Sequence, residues 1–353
     1  MRASVQNPRT ICILRLSALG DVTHVVPVIR TLQKQWPESR ISWVIGSLEH
    51  GLLCDLPGIE FILFNKKDGW KAVRKLKQDL QDRQFDVLLH MQVSARANLL
   101  SRFVHAPVRV GWNRERCRDF HQWFINTPVA NVPQQHQVEG FLEFPRALGL
   151  LTGPPRWELP IRADALNWVN ERIAPDRPTL VISPCSSHVL RDWNPAHYAA
   201  VADFAASKLD MLVVLSGGPG ERQRDAGAAI QRLMVSSCIN LVGADTLEQC
   251  KALLSRADLL ISPDSGPVHI ASALGTDVLG LYAATWSRRS GPYNSLELCV
   301  DHYPEAALKY RNKDPDELRW GTRIEVPGVM DLVQPHDVIA NLQEWWRKRY
   351  NSA

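Results

Sequence analysis

Two α/β domains, each a parallel sheet covered by helices, are what this sequence predicts, and three observations lead there. Short apolar runs alternate with helical patterns from Thr10 onward, the mark of successive strand–helix–strand units. The alternation stops at a glycine- and proline-rich stretch and then begins again. The chain, at 353 residues, is too long for one typical core.

Residues 10–16 are a continuous apolar run, which reads as a strand buried on both faces. Ser17 to Asp21 turn it into a helical pattern of Val22, Val25, Val26, Val28, Ile29 and Leu32. Pro27 inside that pattern predicts a kink, or a regular helix only after it. Residues 41–45 form the second strand. A basic amphipathic helix over 69–83 has Trp70, Val73, Leu76 and Leu80 on its apolar side, and residues 85–90 form another buried strand. Gly153, Pro154, Pro155 and Pro160 mark the linker, so the expected domains are 1–162 and 163–353. After a short helical pattern at 165–173, strands at 179–183, 211–215, 239–242, 258–262 and 277–281 alternate with helices at 195–208, 220–234, 246–255 and 267–274. An amphipathic helix at 335–350 ends in Trp345-Trp346-Arg347-Lys348-Arg349. Such sheets bind ligands at the carboxyl ends of their strands, and two of them predict a deep cleft.

The net charge of +4 is unevenly spread. Residues 1–160 carry 21 Lys and Arg against 14 Asp and Glu, a balance of +7, and the remainder carries 20 against 23, a balance of −3. A basic half suits an acidic partner: nucleic acid, anionic lipid or an acidic sugar. It also suits a merely solvated face. Six arginines between 96 and 118 are interleaved with Trp112 and Phe120, with Trp123 just beyond, but no single-strand-binding signature accompanies them, so nucleic acid is not expected. Seven cysteines without a C-x-x-C pair predict free thiols in a reducing compartment. Neither a signal-peptide core nor a stretch of ~20 apolar residues is visible, which points to the cytoplasm.

The chemical candidates lie at strand ends. Asp264-Ser265-Gly266-Pro267-Val268-His269 follows an apolar run and opens a helix. Asp264 or Ser265 can cap it, Gly266 admits a ligand to the backbone, and Pro267 suits the first turn. Free N–H groups there attract phosphate, although the same residues also make an ordinary capped turn. Ser186, Ser187 and Arg191 offer hydroxyl and guanidinium ligands for phosphate, or a plain serine-rich turn. Glu221, after Ser216-Gly217-Gly218-Pro219-Gly220, can accept from ribose hydroxyls or simply favour a helix start. Asp21 reads as a helix cap or as a general base. Dinucleotide, P-loop, serine-hydrolase and zinc spacings are all missing, and Asp314-Pro315-Asp316 reads as a solvated loop, so no metal and no cofactor is expected.

Here the chain resembles the family 9 glycosyltransferases, the lipopolysaccharide heptosyltransferases. Leu16-Ser17-Ala18-Leu19-Gly20-Asp21-Val22 is similar to their S-x-x-G-D motif, Asp264 to Ala271 to their D-[ST]-G-x-x-H motif, and Gly291-Pro292-Tyr293 also matches. The resemblance implies the GT-B fold, two facing Rossmann-like domains with the 335–350 helix returning to the first. It implies inverting, metal-independent transfer of L-glycero-D-manno-heptose from ADP-heptose to a Kdo residue of Kdo-lipid A, most like the heptosyltransferase I type. In that light Asp21 resembles the general base. Ser186 and Ser187 stand where relatives have a Thr-Thr pair on the phosphates, and Arg191 where a Lys is found. Glu221 resembles the acid near the ribose, Asp264 the residue that positions the sugar, Ser265, Gly266 and Pro267 the pyrophosphate loop, and His269 its brace. Gly20, Lys66, Lys67, Lys71, Arg96, Arg114 and Arg116 become candidates for the anionic acceptor, at a peripheral position on the cytoplasmic face of the inner membrane. A heptose acceptor, or an epimerase or nucleotide sensor on the same fold, are the alternatives.

Overall fold

The computed structural model describes residues 6–173 and 176–350, and the chain divides into two units between Pro160 and Ile161, close to the expected boundary. The first unit holds a six-stranded sheet: β1 (Thr10–Leu14), β2 (Arg40–Gly46), β3 (Ile59–Phe64), β4 (Val87–His90), β5 (Val108–Gly111) and β6 (Thr127–Pro128), in the order β3-β2-β1-β4-β5-β6. Every pairing is parallel. Ile11 to Leu14 are fully buried because β1 lies between β2 and β4 with both faces covered, which is why the sequence there is apolar without alternation.

The second unit repeats the plan with β7 (Thr179–Ile182), β8 (Leu212–Leu215), β9 (Ile239–Asn240), β10 (Leu259–Pro263), β11 (Asp277–Tyr282) and β12 (Val300–Asp301), in the order β12-β11-β10-β7-β8-β9. Read from its first strand, this is the same order as in the first unit. In each sheet the chain reverses direction beside the first strand, between β1 and β4 and between β7 and β10. Open α/β sheets bind ligands outside the strand ends at such a reversal.

Several local expectations change. Pro27 does not kink a helix. It sits in the first turn of helix Val26–Gln35, after a separate short helix Leu19–Thr23, where its missing N–H costs nothing. Trp70 is the first residue of helix Trp70–Leu80 and is 85 % exposed, whereas Leu76 and Leu80 enter the core with Leu14, Val44 and Leu88. The C-terminal helix Pro335–Tyr350 buries Val338, Leu342 and Trp345 in the core of the second unit. Its end is tied there by Trp345 Nε1 donating to Asp277 at 2.8 Å and the Tyr350 hydroxyl bonding Asp258 at 3.0 Å.

Candidate functional site

At the first unit's reversal point, the chain leaves β1 through Arg15, Leu16 and Ser17. Gln92, two residues beyond β4, pins this exit: its Oε1 accepts from the backbone N–H groups of Leu16 (2.6 Å) and Ser17 (3.3 Å). Asp21 lies in the first turn of helix Leu19–Thr23, where Gly20 is buried. Asp21 Oδ2 accepts from the Ala18 N–H at 3.3 Å, so the helix-start role is real. The same carboxylate carries more than a cap does. Arg15 Nη2 stands 2.5 Å from Oδ2, and Gln137 Nε2 donates to Oδ1. Arg15 is itself fixed, donating to Met91 O at 2.7 Å and lying 5.3 Å over the Phe141 ring. Asp21 remains 28 % exposed, so one edge of an oriented carboxylate faces outward. Gln137 and Phe141 belong to helix Gln137–Ala147, which the sequence reading missed.

In the second unit the loops after β7 and β10 meet at Asp264. Ser186 Oγ donates to the Asp264 carbonyl at 2.6 Å, and the Ser186 N–H to Asp192 at 2.7 Å. Ser186 is buried and braces the two loops, while Ser187 next to it is exposed. Arg191 is buried between two carboxylates: Nη1 is 3.2 Å from Asp264, and Nε (2.8 Å) and Nη2 (2.6 Å) both reach Glu325 Oε1. Two carboxylates around one guanidinium leave the cluster negative, a balance that motif reasoning did not foresee for a phosphate-binding arginine. Nothing in the stretch around Glu325 signals it; only the fold brings it there.

Helix Gly266–Leu274 begins one residue after the cap Ser265, with Pro267 in its first turn, and ends at Gly275 in the left-handed region (φ +83°). Ser265 does not cap with its side chain; its hydroxyl bonds Ser262 Oγ at 2.8 Å. The first N–H groups are thus left without a side-chain cap, the state in which a helix start takes an anion. His269 Nε2 is 3.9 Å from Asp264 Oδ1, which fits a bracing role.

After β8, Glu221 is exposed at the start of helix Glu221–Leu233. Its neighbour Arg222 ties Asp192 and the Ser186 carbonyl, an unforeseen link between the loops after β7 and β8. Asp245, just past β9, is pushed up to about 6 by burial, which outweighs the bonds from its own backbone N–H and, at 3.5 Å, from Ser216 Oγ. Asp314 caps a short exposed turn at Pro315–Glu317, in keeping with a solvated loop.

The basic stretch 96–118 does not form one surface at one end of the sheet. Parallel strands need a crossover between them, so the chain passes from one end to the other within this stretch. Arg102 precedes β5 at its amino end; Arg114, Arg116 and Arg118 follow its carboxyl end. Lys66, Lys67, Arg96, Arg102, Arg114 and Arg118 are exposed. Arg116 is engaged, donating to Val132 O at 2.8 Å and Gln135 at 2.9 Å and lying over Trp112.

Residues 73–318 match the family model for glycosyltransferase family 9 (heptosyltransferase). The chain is 37 % identical over 337 residues to the lipopolysaccharide core heptosyltransferase OpsX of Haemophilus influenzae, covering 96 % of this chain and 97 % of that one. Its fold is similar to that of a family 9 glycosyl transferase from Veillonella parvula (TM-score 0.78, 20 % identity, 96 % and 97 % of the two chains). It is also similar to Escherichia coli heptosyltransferase WaaC with ADP (TM-score 0.72, 18 % identity, 95 % and 99 %). The architecture is GT-B, and by sequence the chain belongs to glycosyltransferase family 9, the heptosyltransferases.

Proposed function

We propose that this enzyme transfers L-glycero-D-manno-heptose from ADP-heptose to a Kdo residue of the lipopolysaccharide inner core, inverting the anomeric centre and using no metal ion. The observation that carries the reading is Asp21, a carboxylate oriented by Arg15 and Gln137 at the reversal point of the first sheet. Family membership supports the donor, as do the related structures of Escherichia coli heptosyltransferase WaaC with ADP and with ADP-2-deoxy-2-fluoro heptose. In the proposed step Asp21 takes the proton of the acceptor hydroxyl as that oxygen attacks the anomeric carbon. The bond from that carbon to the β-phosphate oxygen breaks, and ADP leaves with the electron pair. The N–H groups at the start of helix Gly266–Leu274 and the Arg191 guanidinium stabilise the departing diphosphate, in place of a metal. Asp264 orients the heptose, and Ser187 and Glu221, both exposed, take phosphate and ribose.

The acceptor's Kdo carboxylates and lipid phosphates suit the basic first half. No described helix is long and apolar enough to cross a membrane, and the reading places the enzyme at the cytoplasmic face of the inner membrane as a peripheral protein. The test is incubation with ADP-heptose and Kdo-lipid A in excess EDTA, beside a heptose-terminated acceptor, with product mass and anomeric configuration as readouts. One added heptose of inverted configuration on the Kdo acceptor is expected. Transfer only to the heptose-terminated acceptor overturns the acceptor assignment, and a strict need for a divalent cation overturns the metal-free step.

A further inference from the structure

The outer edge of the first unit, residues 95–124, carries a surface to which the proposed step assigns no residue. Helix Ala95–Leu100 and the turn Ser101–Phe103 lead away from the carboxyl end of β4, and His105 lies at the amino end of β5. The turn His121–Phe124 then leads into β6. Arg109 ties these passes together. Its Nε donates to Phe124 O at 2.8 Å, its Nη1 to Val104 O at 2.7 Å, and its Nη2 to Ser101 O at 2.8 Å and Ser101 Oγ at 3.1 Å. With those donors spent on the protein's own oxygens, Arg109 acts as a strut. Beside it lies a polar depression of 520 Å³ whose walls include Arg102, His105 and Trp123.

Trp123 of that wall stacks on Phe120, 4.7 Å between centroids and 26° between planes, and the two are 74 % and 61 % exposed. Asp119 and Phe120 both lie in the left-handed region (φ 54° and 58°), costing about 1 kcal/mol or more each. Asp119 is held in that turn by the Ala95 N–H (3.1 Å) and by Asn98 Nδ2 (2.7 Å). The fold therefore maintains a strained turn whose effect is to hold two large rings in solvent. Leu99 and Arg96 are exposed on helix Ala95–Leu100, Arg102 shares the walls of the depression with Trp123, and Arg118, two residues before Phe120, is exposed. Asp21 follows the carboxyl end of β1, whereas the depression adjoins the amino end of β5, at the other end of the parallel sheet.

We propose that this edge docks on an anionic bilayer, with Phe120 and Trp123 at the boundary between headgroups and acyl chains and Arg96, Arg102 and Arg118 on lipid phosphates. Rings with exposed faces beside cationic side chains match the headgroup layer, where aromatic belts sit and each nearby arginine adds attraction. The unit's balance of +7 supplies the complementary charge. The inference names the surface behind the peripheral location proposed above and rests on that part of the reading alone.

The full chain is mixed with phosphatidylcholine vesicles with and without about 30 % phosphatidylglycerol, and bound protein is measured by flotation. Binding only to the anionic vesicles is expected. It should weaken about tenfold in Phe120→Ala/Trp123→Ala and roughly fivefold in Arg102→Gln, and fall with salt. ADP binding in each variant, unchanged from the parent, shows that the fold is intact. Equal binding to neutral vesicles, no binding to either, or variants that bind like the parent would overturn the docking surface. None of those outcomes touches heptose transfer to a de-acylated Kdo acceptor, which separates this failure from failure of the catalytic reading. A raised KM on that soluble acceptor in the aromatic variant, with vesicle binding kept, would instead assign the surface to the acceptor.

Discussion

Each unit places an arginine and a carboxylate together at the reversal point of its sheet, and the two pairs are balanced in opposite directions. Around Asp21 one carboxylate has a guanidinium and an amide donor, and these two side chains converge on its two oxygens. Around Asp264 one guanidinium serves two carboxylates, Asp264 and Glu325. The first arrangement is over-supplied with donors and holds a single carboxylate still. The second is over-supplied with acceptors and holds an arginine still. The same topology thus presents a fixed carboxylate in one unit and a restrained cation in the other, the two groups to which the proposed transfer assigns proton removal and the diphosphate.

The largest break in this comparison comes from Asp21. Asp21→Ala is expected to lower kcat by about 10³-fold, the usual worth of a general base, with ADP affinity within about twofold of the parent. Arg15→Ala keeps the carboxylate but leaves it held only by Gln137 and the Ala18 N–H among the partners described above, and a smaller loss of about tenfold in kcat is expected with KM for donor unchanged. Steady-state kinetics beside calorimetric ADP binding measure both. Near-parental kcat in Asp21→Ala would reduce the residue to its helix-start role.

The second break uses pH, because the two units also bury titratable groups of opposite sense. In the first, Asn98 Oδ1 accepts from His90 Nε2 (3.0 Å) and His121 Nδ1 (2.8 Å), and His121 Nε2 accepts from the Trp112 N–H. These bonds need His121 neutral, and burial lowers it from 6.5 to about 4. Burial, then the charges of His121 and Arg109, push His90 down as well. A depressed histidine stabilises the fold above its unfolded value and loses that contribution as pH falls, here from about 6.5 to 4, worth about 3 kcal/mol for His121. Asp245 runs the other way: raised from 3.8 to about 6, it favours the fold at low pH and penalises it as pH rises through that window, by about 3 kcal/mol. Asp245→Asn is therefore expected to raise stability at pH 7 by about 2 kcal/mol and to expose a steeper acid loss between pH 6.5 and 4. Urea unfolding across that range measures it, and an unchanged midpoint at pH 7 would show Asp245 to be hydrated.

How far these features were legible in the sequence follows from how local they are. β1, β4, β7, β10 and β11 are central or near-central, buried on both faces, and announce themselves as continuous apolar runs. β6 and β12 have two residues each, too few to show any period, whereas β9, expected over 239–242, keeps only Ile239–Asn240, and β5 reads Val-Arg-Val-Gly because its arginine is a strut inside the unit. Trp70 fitted the apolar side of its helix by spacing, but it is the first residue of that helix and its ring stays in water. Asp21, Asp264 and Arg191 were legible as strand-end residues in motifs. Their partners were not: Gln137 is 116 residues from Asp21 and Glu325 is 134 from Arg191, and only the fold brings them together.

The finest test of the contrast between the two pairs is Glu325. A diphosphate approaching Arg191 meets a cluster that already carries an excess negative charge, and part of the guanidinium's capacity is committed to Glu325 Oε1. Removing that charge while keeping a similar shape should leave the arginine available to the phosphates at lower electrostatic cost. Glu325→Gln is thus expected to bind ADP about tenfold more tightly and to release it more slowly, so that kcat falls if product release limits turnover. Glu325→Asp, which keeps the charge, should stay close to the parent. Calorimetry and stopped-flow displacement of ADP distinguish this from the opposite role. If Glu325→Gln binds ADP more weakly, Glu325 aims Arg191 at the donor instead of restraining it, and the second unit's pair would then be built on the same principle as the first.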